Sequence, residues 1–139
     1  TGDGGMQMNL QELATAVCEE ANVTVCILNN RYLGMVRQFQ QVFYGKRYID
    51  TCLNKHVGCP ADCKGPSDAC PPYTPDFVKL TESYGAKGIR VTTEEELLNA
   101  LKTAKDTKKV PTVIECMIAT EEIVLPMVKG GNPMSEMIL

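Results

Sequence analysis

The sequence predicts an α/β fold, a parallel sheet flanked by helices on both faces. Three observations predict it. Val23 to Leu28 is a continuous β-branched-rich run, as in a strand buried on both sides, and Val110 to Ile118 reads as a further strand. Segments of helical periodicity alternate with these runs. Helix start and stop signals, such as Thr93-Glu-Glu-Glu96 and Gly85, separate the two. Strands that alternate with helices pair in parallel, and the helices cover the sheet.

The elements follow in chain order. Gln7 to Ala21 reads as a helix, with Leu10, Leu13, Ala14, Val17 and Cys18 on one face and Gln11, Glu12, Glu19 and Glu20 on the other. Val23 to Leu28 is a strand, and Asn29 to Leu33 a loop. Gly34 to Phe43 is a second helix, with Met35, Val36, Phe39 and Val42 on one side. Residues 49–75 have no usable periodicity and carry four cysteines and five of the eight prolines, so they read as an irregular excursion. Pro75 opens a helix at its favoured first position, and Gly85 ends it. Lys87 to Val91 is a short strand. Thr93 to Glu96 is a capping box for a helix reaching about Lys105, with Leu97, Leu98 and Leu101 turned inward. Val110 to Ile118 is the last strand. Glu121 to Leu139, with Pro126, Gly130-Gly131 and Pro133, reads as an ordered arm.

Composition sets bounds. The 139 residues suit one domain, residues 1–139, with a Cys-rich insert at about 50–74. The net charge of -3 argues against nucleic acid as a general electrostatic partner. No run approaches the roughly 20 apolar residues that span a bilayer. No basic region precedes an apolar core at the start, so the expected setting is cytoplasmic. Thr1-Gly2-Asp3-Gly4 reads as the loop after a strand that these residues do not include. We expect a fragment of a longer chain, poorly stable by itself.

The chemistry sits in two motifs. Gly2-Asp3-Gly4 and Asn29-Asn30 are separated by 24 residues that hold one helix and one strand. Each is common alone: a GDG turn is ordinary, and Asn-Asn often closes a strand. Together they occupy neighbouring loops beyond strand ends, where open α/β sheets bind ligands. Asp3 is the candidate ligand for Mg²⁺, which prefers hard oxygens beside phosphates. The Asn30 amide oxygen and a backbone carbonyl near Tyr32 would add two more. Gly4 and Gly5 let the backbone approach a diphosphate, with a helix N-terminus near Gln7 aimed at it.

These residues resemble a known family. The GDG…NN pair resembles the thiamine diphosphate motif of thiamine-dependent enzymes. Gly2 to Val17, Ile27 to Gln40, Phe43-Tyr44, Arg47-Tyr48, Pro75 to Leu80 and Leu125 to Val128 resemble the acetolactate (acetohydroxyacid) synthase catalytic subunit, C-terminal domain. The resemblance covers almost all the chain except the cysteine insert. It implies condensation of two pyruvates, or of pyruvate with 2-oxobutanoate, to a 2-acetohydroxyacid and CO₂, in branched-chain amino-acid synthesis. Thiamine diphosphate and Mg²⁺ would be the cofactors. Asp3, Asn30 and Tyr32 would carry the metal, and Gly2, Gly4, Gly5, Leu33, Gly34 and Met35 would line the cofactor. Met35 and Phe39 would face substrate.

The resemblance also implies what lies elsewhere. The activating glutamate belongs to a partner subunit's N-terminal domain, and FAD, where present, to a middle domain. No catalytic residue is therefore expected here, and the fragment should be inactive alone. The active site would form between subunits of a homodimer or homotetramer, with a possible regulatory small subunit. One departure stands out: Phe39 replaces the tryptophan typical of the biosynthetic family. Loss of the larger ring predicts a weaker preference for 2-oxobutanoate.

Cys52, Cys59, Cys63 and Cys70 fit no standard zinc or iron–sulfur spacing, and His56, the only histidine, lies among them. Metal ligation, disulfides and free thiols all stay open. Two other functions compete with the leading one. Another thiamine diphosphate enzyme, such as a 2-oxoacid decarboxylase, a carboligase or an oxidoreductase subunit, is the nearer, though Gly34-Met-Val-Arg-Gln38 argues against it. A metal-binding module centred on the cysteine loop is the more distant.

Overall fold

The computed structural model describes residues 1–63, 65, 70, 75–120 and 122–139. A three-stranded parallel sheet organises it. β1 (Thr24–Asn29), β2 (Lys87–Val91) and β3 (Thr112–Met117) lie in the order β1-β3-β2. β3 is central, with Ile114 opposite both Cys26 and Ile89. Thr1 and Gly2 run beside β1: Leu28 N–H donates to Thr1 O at 2.8 Å, and Gly2 bridges Leu28 in parallel.

The helices are α1 (Asp3–Met6), α2 (Glu12–Cys18), α3 (Gly34–Phe43), α4 (Phe77–Ser83) and α5 (Glu94–Asp106). They cover both faces of the sheet, as alternation along β3 requires. Ile114 and Cys116 pack with Val91, Ala100 and Ala104 under α5. Val113 points the other way, into a cluster of Leu13, Ile27 and Phe77 under α2 and α4. α4 comes very close at Gly88, where an added Cβ would lie 2.8 Å from Val78 O.

Three element expectations change. Of the helix predicted over Gln7 to Ala21 only α2 forms; the chain turns at residues 7–11, and a separate one-turn helix, α1, precedes that turn. α1 opens at Asp3 and not near Gln7, so the carboxylate itself sits in the first turn. α4 is capped by Asp76, whose Oδ1 accepts from Val78 N and Lys79 N at 3.2 and 3.3 Å, and Pro75 precedes the cap. The Thr93 capping box is present as predicted. In α5, however, Ala100 and Ala104 make the buried stripe with Leu97 beside them, while Leu98 and Leu101 are exposed. Small side chains let the helix lie close on the sheet, and the flanking leucines are left outside. On α3 the polar Arg37 and Gln38 are buried, and the apolar Met35, Val36 and Phe39 face outward.

The tail returns to α3. Gln38 donates from Nε2 to Val124 O at 2.8 Å and accepts from Val124 N at 2.9 Å. Met127 and Ile138 pair antiparallel. Glu121 of the predicted arm, and residues 64, 66–69 and 71–74 of the predicted excursion, lie outside the described residues.

Candidate functional site

The two motifs converge. Asp3 is 1% exposed at the start of α1. Its Oδ1 accepts from Gly4 N at 3.0 Å, and its Oδ2 is buried without a hydrogen-bond partner. Burial pushes the carboxyl above its ordinary value, and the backbone N–H groups of Gly4 and Arg31 partly oppose the rise. The Arg31 N–H belongs to the other motif, so the acidic turn and the amide turn meet at this carboxylate.

The amide turn is built by its own side chains. Asn29 Oδ1 accepts from Arg31 N, and Asn30 Oδ1 accepts from Tyr32 N, each at 3.0 Å. Two overlapping turns of this kind explain consecutive asparagines: each short amide bonds to the backbone two residues on. They hold Arg31 in the left-handed region at φ 63°. The next residues pack on the acidic turn. A Cβ on Gly4 would stand 2.9 Å from Leu33 Cδ2, and one on Gly34 would stand 2.9 Å from Asn30 Nδ2. Glycine at 34 therefore leaves the Asn30 amide in place.

Tyr32 is clamped from below. The Arg37 guanidinium lies 4.8 Å from the Tyr32 ring centroid and 4.6 Å from that of Tyr48, and it donates to Gln41 Oε1 at 3.2 Å. Residues 51–53 pair antiparallel with the loop: Leu33 N–H donates to Thr51 O at 2.8 Å, and Leu53 N–H donates to Arg31 O at 2.9 Å. The start of the insert thus braces residues 31–33.

The site residues predicted from sequence divide in two. Gly2, Asp3, Gly4, Gly5, Asn30, Tyr32, Leu33 and Gly34 gather around the joined turns. Met35 and Phe39 stand outward on α3, 59% and 36% exposed, with Phe39 stacked on Phe43 at 5.8 Å.

Sequence reasoning missed Glu115 behind the turn. It is 2% exposed, accepts from Asn29 Nδ2 at 2.7 Å and accepts from Arg90 Nε at 2.7 Å. A carboxylate inside the apolar run Val113-Ile114-Glu115-Cys116 was the available signal.

The insert forms its own cleft of about 520 Å³, lined by Tyr32, Cys52, His56, Cys59, Cys63 and Cys70. Among the described residues no two cysteines are joined by a disulfide. Among the described residues no group of three or more His, Cys, Asp or Glu side chains is placed to hold a metal ion. No helix among the described residues is long and apolar enough to cross a membrane.

A one-turn helix after a strand-like segment, joined to an Asx-turned strand end over a parallel sheet, marks an α/β domain whose candidate site lies beyond the strand ends. Residues 1–116 match the family described as "Thiamine pyrophosphate enzyme, C-terminal TPP binding domain", and the chain belongs to that family. Within it, the chain is 39% identical over 138 residues to the acetolactate synthase large subunit of Cyanidium caldarium, covering 99% of this chain and 20% of that protein. It is 38% identical over 139 residues to the acetolactate synthase large subunit of Haemophilus influenzae, covering 100% of this chain and 21% of that protein. A solved Rhodococcus jostii thiamine diphosphate-dependent 4-hydroxybenzoylformate decarboxylase superposes with TM-score 0.63 at 27% identity, covering 88% of this chain and 19% of that one. The chain therefore spans about a fifth of the length of the relatives it matches.

Proposed function

We propose that this domain holds thiamine diphosphate and Mg²⁺ in an acetolactate synthase, which condenses two pyruvates, or pyruvate with 2-oxobutanoate, to a 2-acetohydroxyacid and CO₂ for branched-chain amino-acid synthesis. One observation carries the reading. Asp3 Oδ2 is a buried carboxylate oxygen with no partner, at the place where the Asn29–Asn30 turn arrives. Burying a carboxylate is costly unless it is paired or coordinates a cation. The donor set is all hard oxygen (Asp3, the Asn30 amide and the Tyr32 carbonyl), which suits Mg²⁺ beside phosphates.

The chain's own residues do the holding. Asp3, Asn30 and the Tyr32 carbonyl would hold the cation, whose charge would offset that of the diphosphate. Gly2, Gly4, Gly5, Leu33, Gly34 and Met35 line the cofactor, and the small residues keep the backbone close. When bound, the cofactor supplies the electron sink for decarboxylation of the 2-oxo acid. Phe39 presents an apolar ring to the second substrate. Met35, Val36 and Phe39 form an exposed apolar face on α3 next to the site. Such a face fits an active site closed by a second subunit, a homodimer or homotetramer. Groups beyond these residues activate the cofactor, so the domain alone is inactive. FAD, where the whole protein uses it, binds elsewhere. A regulatory small subunit and a cytoplasmic setting complete the proposal.

The test is acetolactate formation from pyruvate by the protein in its full length, with Mg²⁺ and thiamine diphosphate supplied and then withheld. Cofactor-dependent acetolactate is the expected result. The resemblance to a solved decarboxylase favours a second reading, in which the product is CO₂ and an aldehyde. Cofactor-dependent aldehyde without acetolactate would establish that reading instead. With 2-oxobutanoate added, Phe39→Trp should raise the preference for 2-oxobutanoate over pyruvate by roughly 5- to 150-fold, since a pocket change of this size is worth about 1–3 kcal/mol. An unchanged product ratio would remove Phe39 from the pocket.

A further inference from the structure

We infer that Glu115 is a positioning residue for the cation site, acting through Asn29 on the turn that carries Asn30 and Tyr32. The inference rests on the cofactor reading above.

The path is short and buried. Glu115 lies on the central strand, on the same face as Val113 and under α4. Its two oxygens have different partners. Oε2 accepts from Arg90 Nε at 2.7 Å, and Arg90 Nη2 in turn donates to Asp76 Oδ1 at 2.9 Å. Oε1 accepts from Asn29 Nδ2 at 2.7 Å. Asn29, itself 1% exposed, passes the constraint on, because its Oδ1 accepts from Arg31 N at 3.0 Å. One amide is thus held at both ends. Its nitrogen is fixed to the strand and its oxygen to the turn, so the side chain has one orientation. That orientation keeps Arg31 left-handed at φ 63° and sets the direction of the chain into Asn30 and Tyr32.

The chemistry explains both residue types. A serine at 29 could not reach both partners, and an aspartate there would face the Glu115 carboxylate. A glutamine at 115 could present its amide nitrogen to Asn29 and break the bond. Groups one step behind a metal's ligands orient those ligands, and their loss weakens metal affinity by about 10–100-fold. The inference places Glu115 in that role for a site whose direct ligands come from two other segments.

The experiment uses the full-length protein with thiamine diphosphate present, Mn²⁺ as the probe and free Mn²⁺ counted by its EPR signal. Glu115→Gln should fold, since Arg90 keeps Asp76, and its Mn²⁺ affinity should fall by about 10–100-fold. The double variant Glu115→Gln/Asn29→Asp keeps one carboxylate and one amide in the pair with the polarity reversed. It should recover most of the lost affinity. A purely structural Glu115 would lower the melting temperature and leave Mn²⁺ affinity unchanged, and that result overturns the inference. So does a double variant as weak as the single one, because the bond would then be re-formed without restoring the affinity. If Glu115→Gln does not fold, Asn29→Ala cuts the same path with the Arg90–Glu115 pair intact. It should show the same weakening, and parent-like affinity there also overturns the inference. A parent protein that binds no Mn²⁺ defeats the cofactor reading itself and is distinguishable from all of these.

Discussion

Asp3, at the opening of α1, and Glu115, in the middle of β3, are 1% and 2% exposed. Glu115 has a partner for each oxygen, Asn29 and Arg90. Asp3 has a partner for Oδ1 and none for Oδ2. Both carboxylates have lost their water, so the difference lies in what replaced it. At Glu115 the protein supplies the whole replacement, and the group belongs to the fold. At Asp3 the replacement is incomplete, and the proposed cation would complete it. A second carboxylate pair sharpens the contrast. Asp76 is partly buried, and burial alone would raise its carboxyl. The Lys79 N–H and Arg90 outweigh that and hold it below its ordinary value. Asp3 is shifted upward and Asp76 downward.

The largest effect should come from the satisfied group. Glu115→Ala strands the buried Asn29 Nδ2 and opens a hole in the central strand, at a cost of about 3 kcal/mol. Denaturant unfolding measures it, and a loss under 1 kcal/mol would show that the network contributes little. Asp3→Asn should do the reverse. Without cation, replacing a buried, incompletely paired carboxylate by a neutral amide should stabilise the protein by about 1 kcal/mol.

The pH dependence carries the sign. The folded carboxyl of Asp3 titrates above its unfolded value, so the native state binds that proton more tightly. Its contribution favours folding below the ordinary carboxylate range and is lost as pH rises through the raised value. In the absence of cation, the advantage of Asp3→Asn over the parent should therefore be larger at neutral pH than in mild acid. Equal advantages at both would contradict it. The smallest effect belongs to Asp76→Ala, which removes the α4 cap and should cost about 0.5–1 kcal/mol. Its sign is opposite to that of Asp3. The stabilisation from Asp76 is present above the ordinary carboxylate value and disappears as pH falls through the lowered one. Melting curves for parent and variant should converge in acid.

Much of the fold was legible because local signals agreed with tertiary demand. The run ending at Leu28 is a strand, α3 spans Gly34–Phe43 as read, and the Thr93 box caps α5. The pattern 10, 13, 14, 17, 18 fits a helix from Gln7, but the chain turns at residues 7–11 and the helix starts only at Glu12. Leu98 and Leu101 satisfy helical spacing, yet the sheet accepts only the small Ala100 and Ala104 at its surface. For the candidate site, Asp3 and Asn30 were legible because each sits at an element end with a distinctive turn. Glu115 was not, because its role depends on a partner 86 residues away.

The most direct test of the central claim is calorimetric titration of thiamine diphosphate into the full-length protein and its Asp3→Asn variant, each with Mg²⁺ and with a chelator. The account predicts binding in one case only, the parent with Mg²⁺. Parent-like binding by Asp3→Asn in the presence of Mg²⁺ would contradict it.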